Sequence, residues 1–287
     1  MLDLTPLYLN NERMLRLLGS GDIKAAVRDY FERREDLSGK IVVDIPAGRG
    51  VNSEVLQARG AQVEAFDLFP RFFAARGLSC SRADLREPLP IASGHADFVL
   101  FQEAIEHLPD QLGVLVELNR ILKPGGTLIL TTPNVSHLRA RLSHFLLESE
   151  LYNRFPANEC DAVWFSDGDA AYLGHLFLIG AQRLRVLARL AGFRIVRFHP
   201  VKVSVTSLLL GICYPLLLAF NVFAYVRGMR RGGETDRDRR RKALREMLRV
   251  NLHPTVLFGK HLFVELAKES ETDRARPRVL KDAATIC

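Results

Sequence analysis

Val42-Val43-Asp44-Ile45-Pro46-Ala47-Gly48-Arg49-Gly50 decides how this chain is read. An apolar strand ends in a carboxylate, and a turn with two glycines follows, where a ligand can touch bare main chain. The strand is read over Ile41 to Ile45. A short helix through Val55 and Leu56 then ends at Gly60, and a second strand occupies Gln62 to Phe66. After a loop rich in Arg and Pro, Ala96 to Phe101 is another buried strand. Asp110 caps a helix whose Val114, Leu115, Leu118, Ile121 and Leu122 share a face, and Lys123-Pro124-Gly125-Gly126 stops it. Thr127 to Thr132 is β-branched and apolar, the next central strand, with Pro133-Asn134 turning the chain away. Strands alternating with helices from Lys40 to Asn134 predict βαβ units: an α/β fold, with a doubly wound, mainly parallel sheet and helices on both faces.

The stretch Val135 to Gly180 is less regular. A helix follows over Ala181 to Ala191 with Gly192 as its stop, and Phe193 to Val201 alternates like a strand. The last strand, His261 to Ala267, arrives after an interruption of about sixty residues, far longer than the connections usual in compact domains. The division expected is a helical lead-in over 1–38, a catalytic domain over 39–201 plus 257–269, an apolar and basic helical insertion over 202–256, and a mobile polar tail over 270–287.

The chain has 287 residues, 48% of them hydrophobic and 25% charged, which describes a globular protein with one sizeable core and excludes a disordered chain. The net charge of +7 is concentrated between Arg227 and Arg245, so no general nucleic-acid-binding face is expected. Cys80, Cys160, Cys213 and Cys287 are far apart and suggest neither a disulfide framework nor a zinc site, which fits a reducing cytoplasm. Met1 to Leu18 is broken by charged and amide residues, so no secretory signal is expected. Asp161, Asp167 and Asp169 match no metal cage in their spacing, and no metal is expected.

Ligands of open α/β sheets sit beyond the carboxyl ends of the strands, so Asp44, Asp67 and Asp84 are expected to converge on one crevice. Three acids there suit a ligand bearing positive charge or hydroxyls. On these residues the chain resembles the class I S-adenosylmethionine-dependent methyltransferases, in their small-molecule type-11 and type-23 subgroup. Asp44 to Gly50 matches the glycine-rich first motif, apart from Pro46, which stands where the family has its first glycine. Asp67, seventeen positions after Gly50, falls where the family's acid holds ribose hydroxyls, and Ala83-Asp84-Leu85 resembles the loop that lines adenine. Phe98 to Leu108, with Gln102-Glu103-Ala104-Ile105-Glu106-His107, resembles the fourth strand and its turn. Leu122 to Thr127 and Thr132-Pro133-Asn134 resemble the approach to the fifth strand and its exit, and Gly174-His175-Leu176-Phe177 and Ala191-Gly192-Phe193 resemble later stretches.

The resemblance implies S-adenosylmethionine as cofactor, surrounded by Asp44, Ala47, Gly48, Gly50, Asp67, Leu68, Asp84, Leu85, Gln102 and Glu103. A nicotinamide oxidoreductase is the rival, because Gly48-x-Gly50-x-x-Ser53 loosely resembles the dinucleotide fingerprint. An acid directly before the turn opposes a pyrophosphate but suits an ammonium and a sulfonium. If the acceptor is a hydroxyl, a general base helps. His107, just beyond the cofactor strand, ranks first and His175 second. A membrane-associated binding module without activity is the non-enzyme alternative.

No charged residue occurs between Lys202 and Arg227. The length allows a bilayer span, but the segment separates two strands of one sheet, so the chain must return. Pro215 is expected to kink or split a helix, giving a re-entrant or in-plane hairpin whose basic flank meets anionic headgroups; a buried helix pair or a dimer surface is the packed alternative. A membrane-facing insertion suits a glycan or lipid-linked acceptor, and a packed one suits a soluble small molecule. The expected location is cytoplasmic, either free or peripheral or monotopic at the inner face of the membrane.

Overall fold

The computed structural model describes residues 23–33, 37–150, 156–159, 163–167, 170–230 and 237–271. Most of the lead-in and of the tail lies outside the described residues, as do Asp161, Asp169, Cys160 and Cys287. Helix α1 (Ile23–Glu32) precedes β1 (Ile41–Asp44), α2 (Val51–Ala58), β2 (Gln62–Asp67), β3 (Cys80–Arg82), β4 (Ala96–Gln102), α3 (Gln111–Ile121) and β5 (Leu122–Pro133). Then come α4 (Leu138–Leu147), β6 (Val163–Asp167), β7 (Ala170–Leu173), α5 (Ala181–Leu190) and β8 (Phe193–Phe198). The chain closes with α6 (Val205–Leu209), α7 (Tyr214–Arg230), α8 (Arg237–Asn251), α9 (Pro254–Phe258) and β9 (His261–Lys268).

Seven strands form one sheet in the order β3-β2-β1-β4-β5-β9-β8, in which only β9 runs against its neighbours. The order of β1, β2 and β4 reverses about β1, which makes the crevice above β1 and β4 the topological switch point. Side chains alternate across each strand, so both faces need cover. Val43, Val99, Leu128 and Leu130 pack with Leu115, Leu118 and Leu184 of α3 and α5, while Val42, Leu100, Ile129 and Phe263 pack with Val27, Phe31 and Leu56 of α1 and α2. Each such fully buried side chain contributes about 1.5–3 kcal/mol relative to exposure.

Asp110 caps α3 as expected, its carboxylate accepting from Gly113 N at 2.8 Å. Several sequence expectations are corrected. The strand read over Thr127 to Thr132 begins at Leu122, because Leu122 already pairs with Ala96 and the Lys123–Gly126 stretch is accommodated by an irregularity in the register. The edge strand β3 falls in the stretch expected as loop: Ser81 and Arg82 are exposed, so no burial period marks it. The stretch after Asn134 holds α4 and a β6–β7 hairpin. The insertion divides next to Pro215, as its sequence leads one to expect: a tighter 3-10 turn, Leu210–Cys213, separates α6 from α7, and Pro215 takes the second position of α7, where its missing N–H removes no bond within that helix. The insertion is not buried in the core, since the apolar stretch inside Val205–Arg230 is only 6% buried.

Candidate active site

The carboxyl ends of β1, β2, β4 and β5 lie along one sheet edge, and the antiparallel register that sets His261 opposite Pro133 brings the start of β9 to the same edge. There a cavity of about 460 Å³ opens, within the range of small-ligand sites. Ala47, Gly48, Asp67, Leu68, Asp84, Leu85, Gln102, Glu103 and His107 all line it. Asp44 and Gly50 stand behind the wall, and His175 reaches the site through His107, their ring centroids 4.9 Å apart. No motif marks Asn52, Phe69, Phe72 and Lys24, which also line the cavity, or His261, whose Nε2 lies 3.4 Å from Glu103 Oε2.

The turn after β1 is shaped by its acids. Asp67 accepts from Gly48 N at 2.8 Å and from Phe69 N at 2.8 Å, fixing both loops with one carboxylate. Gly48 and Gly50 have φ of +55° and +81°, the left-handed region that favours glycine. At Gly50 a Cβ would lie 2.6 Å from both Ala75 Cβ and Phe73 Cε2, whereas at Gly48 it would meet nothing within 4 Å. The Ile45-Pro46 peptide is cis. Asp84 is gripped by Arg86, whose Nη2 lies at 2.6 Å, and this partner holds its carboxyl below the usual range. Asn52 Nδ2 donates to Gln102 Oε1 at 2.8 Å, tying α2 to the end of β4.

Asp44 is 1% exposed. Burial pushes its carboxyl up to about 7; the 2.6 Å hydrogen bond from Ser53 opposes this and the nearby Asp67 carboxylate adds to it. Asp44 Oδ1, Asn52 Oδ1 and Glu103 Oε1 are buried without a hydrogen-bond partner. Asn52 Oδ1 accepts, and so do the two carboxyl groups when ionised. An acceptor-only set with several carboxylates fits a ligand that brings N–H and O–H donors and positive charge, as S-adenosylmethionine does, and opposes the pyrophosphate of a dinucleotide. Glu103 itself is held at φ +45°, a strained backbone for a side chain of this kind.

The Asp44 shift has a consequence for stability. The unfolded chain releases this proton near 3.8 and the folded chain near 7, so between those values the folded state holds more protons and loses stability as pH rises. Asp44→Asn is expected to gain on wild type between pH 5 and pH 8, by on the order of 3 kcal/mol at 1.36 kcal/mol per unit. Urea unfolding of both proteins without ligand at the two pH values checks this; a difference that does not change with pH would contradict it.

His107 is 6% exposed, and burial holds its imidazole below the usual histidine range. Its Nδ1 lies 2.5 Å from Leu173 O and 3.2 Å from Gly174 O. Carbonyls only accept, so Nδ1 carries the hydrogen and Nε2 keeps its lone pair. Glu106 lies beneath, with Oε2 accepting from Thr132 Oγ1 at 2.9 Å and Oε1 4.0 Å from His107 Nε2. Burial and the Glu103 carboxylate hold Glu106 well above the usual carboxylate range.

Residues 20–197 match a sequence family described as "Methyltransferase domain". Two proteins named ubiquinone biosynthesis O-methyltransferase are similar over part of the chain. The one from Xanthomonas oryzae pv. oryzae is 35% identical over 115 residues, 37% of this chain and 48% of that protein. The one from Xylella fastidiosa is 33% identical over 120 residues, 37% of this chain and 47% of that protein. The chain thus spans about half the length of these relatives. The solved structure of a SAM dependent methyltransferase from Archaeoglobus fulgidus is 17% identical, covers 91% of this chain and 99% of that one, and has a TM-score of 0.50, a likeness of fold.

Proposed function

This chain belongs to the methyltransferase-domain family of class I, S-adenosylmethionine-dependent proteins, and from that premise we propose that it transfers a methyl group to a hydroxyl oxygen of a small-molecule, glycan or lipid-linked acceptor. The reading places it in the cytoplasm, free or at the inner face of a membrane. The observation that carries it is one cavity lined by Gly48, Asp67 and His107, in which acceptor-only polar atoms and a buried neutral imidazole occur together. The oxygen acceptor is carried over from the names of the relatives as part of the proposal.

In this reading Ala47, Gly48, Asp67, Leu68, Asp84, Leu85, Gln102 and Glu103 form the wall against the cofactor. Asp44 supplies negative charge behind the turn, and Gly50 lets Phe73 and Ala75 pack closely against that turn. S-adenosylmethionine, when bound, supplies a sulfonium methyl that is already electrophilic. What remains for the protein is to hold an acceptor in line, exclude water and accept one proton. His107 accepts it: Nδ1 is committed to the Leu173 and Gly174 carbonyls, and Nε2 takes the hydroxyl hydrogen as the oxygen forms its bond to carbon. The carbonyls and the Glu103 charge favour the resulting imidazolium. His175, beside it, is the second candidate.

Calorimetric titration with S-adenosylmethionine tests the premise. Wild type is expected to bind, and Asp44→Ala to bind at least about tenfold more weakly, since it loses the charge behind the turn. No binding by wild type, or undiminished binding by the variant, would overturn the reading. Incubation with labelled donor and cell-envelope extracts then separates an enzyme from a binding module: an enzyme labels an acceptor as a base-stable methyl ether, and a module labels none.

A further inference from the structure

Among the described residues, most of the exposed apolar side chains gather on the insertion and on α4. On α6 to α7, Leu209, Ile212 and Phe220 are 73%, 85% and 65% exposed. On α4, Phe145 and Leu146 are 83% and 64% exposed. The two are one surface. Ser207 of α6 is fully buried, its Oγ 2.9 Å from His137 Nδ1 and accepting from Arg139 N at 3.1 Å, which locks α6 to the start of α4. We propose that α4 and the α6–α7 arm together form a monotopic anchor that inserts into one leaflet of an anionic phospholipid bilayer without crossing it.

Exposure on several sides of the helix selects lipid over a second copy of the chain. Leu216 and Leu218 stand two residues and about 200° apart round the axis, yet both are exposed, as are Phe220 and Val222. A folded partner covers one side of a helix, whereas a helix apolar on most sides needs a medium that covers them all. Among the described residues one stripe of α7, through Leu217, Asn221, Tyr225 and Gly228, is half-buried, and Asn221 and Gly228 on it are bonded to α8.

That same contact excludes a span. Asn251 Nδ2 donates to Asn221 Oδ1 at 2.8 Å, and Arg240 Nη1 reaches Gly228 O at 3.4 Å, so from Asn221 onward α7 is flanked by a helix of sequence RDRRRKALREMLRVN. What precedes it, Val205 to Phe220, is about 24 Å of helix at 1.5 Å per residue, short of the roughly 30 Å of a hydrocarbon core. Beside it, Arg227, Arg230, Arg241, Lys242 and Arg245 are exposed, a positive border matched to anionic headgroups.

Flotation with phosphatidylcholine vesicles, with and without phosphatidylglycerol, tests this. Wild type is expected to float with the anionic vesicles. The exposed-site variants Leu209→Ser/Ile212→Ser/Phe220→Ser and Phe145→Ser/Leu146→Ser are each expected to bind about tenfold more weakly, as is Arg241→Gln/Lys242→Gln/Arg245→Gln. Cofactor titration of the same variants stays at the wild-type value, so failure of the anchor and failure of the methyl-transfer reading are distinguishable. Equal flotation of wild type and all variants overturns the proposal. So does a vesicle-free dimer of wild type that the serine substitutions convert to monomer. A fluorophore on Cys213, with Cys80, Cys160 and Cys287 replaced by Ser, is expected to be quenched by lipids labelled near the headgroup; stronger quenching from the chain ends would mean a span and overturn it.

Discussion

Glutamine in place of His107 is expected to lower kcat by about 10²–10⁴-fold while the affinity for S-adenosylmethionine stays within about twofold. The amide can still donate toward the Leu173 and Gly174 carbonyls, so the loop keeps its brace and only the basic nitrogen is lost. The wild-type profile carries a second signature. A base must be neutral to work, and burial holds His107 below the usual histidine range, so kcat/KM is expected to be level through neutrality and to fall only on the acid side of about 6.5. Once an acceptor is in hand, steady-state rates from pH 5 to 8 decide it. A variant retaining more than about a third of wild-type kcat would make His107 a brace and nothing more.

The second large effect is at Gly50. Valine there would force a left-handed backbone on a β-branched residue and drive its Cβ to 2.6 Å from Ala75 Cβ and Phe73 Cε2. The expected outcome is a loss of about 3 kcal/mol or more in unfolding free energy, together with loss of measurable cofactor binding. Gly48→Ala is the comparison: its backbone is also left-handed but its surroundings are open, so about 1–2 kcal/mol is expected. Urea unfolding and titration of both variants check the pair. If the two cost the same, close packing at Gly50 has no part in the site.

The central βαβ units were legible because their signals are local. Val42-Val43 announces a strand buried on both faces, Asp110 sits where a helix needs an acceptor, and Gly60 and Gly192, at φ +85° and +82°, punctuate helix ends. Motif order also brought Asp67, Asp84, Gln102 and Glu103 together, and all four line the same cavity. Asp44 shows the limit of that reading, since it lies behind the crevice with Ser53 as partner, a displacement of one layer that spacing does not encode. His261 was invisible for a different reason. It reaches Glu103 only because β9 runs antiparallel and enters the sheet at the site edge, a consequence of topology with no trace in the neighbouring residues. Phe145 and Leu146 went unnoticed as surface residues because a short apolar run at a helix end looks the same whether it faces core or solvent.

The place of β9 between β5 and β8 bears on biosynthesis. As the chain leaves the ribosome, β5 emerges with one flank open, β8 follows without its neighbour, and the whole greasy arm is extruded before the strand that joins them. Until about residue 268 has cleared the exit tunnel, the nascent protein therefore presents two unpaired sheet edges in addition to the apolar helix that stays exposed in the finished fold. An arm that settles onto lipid during that interval would be removed from the pool of sticky surfaces, so translation beside a membrane should yield more folded protein than translation in its absence.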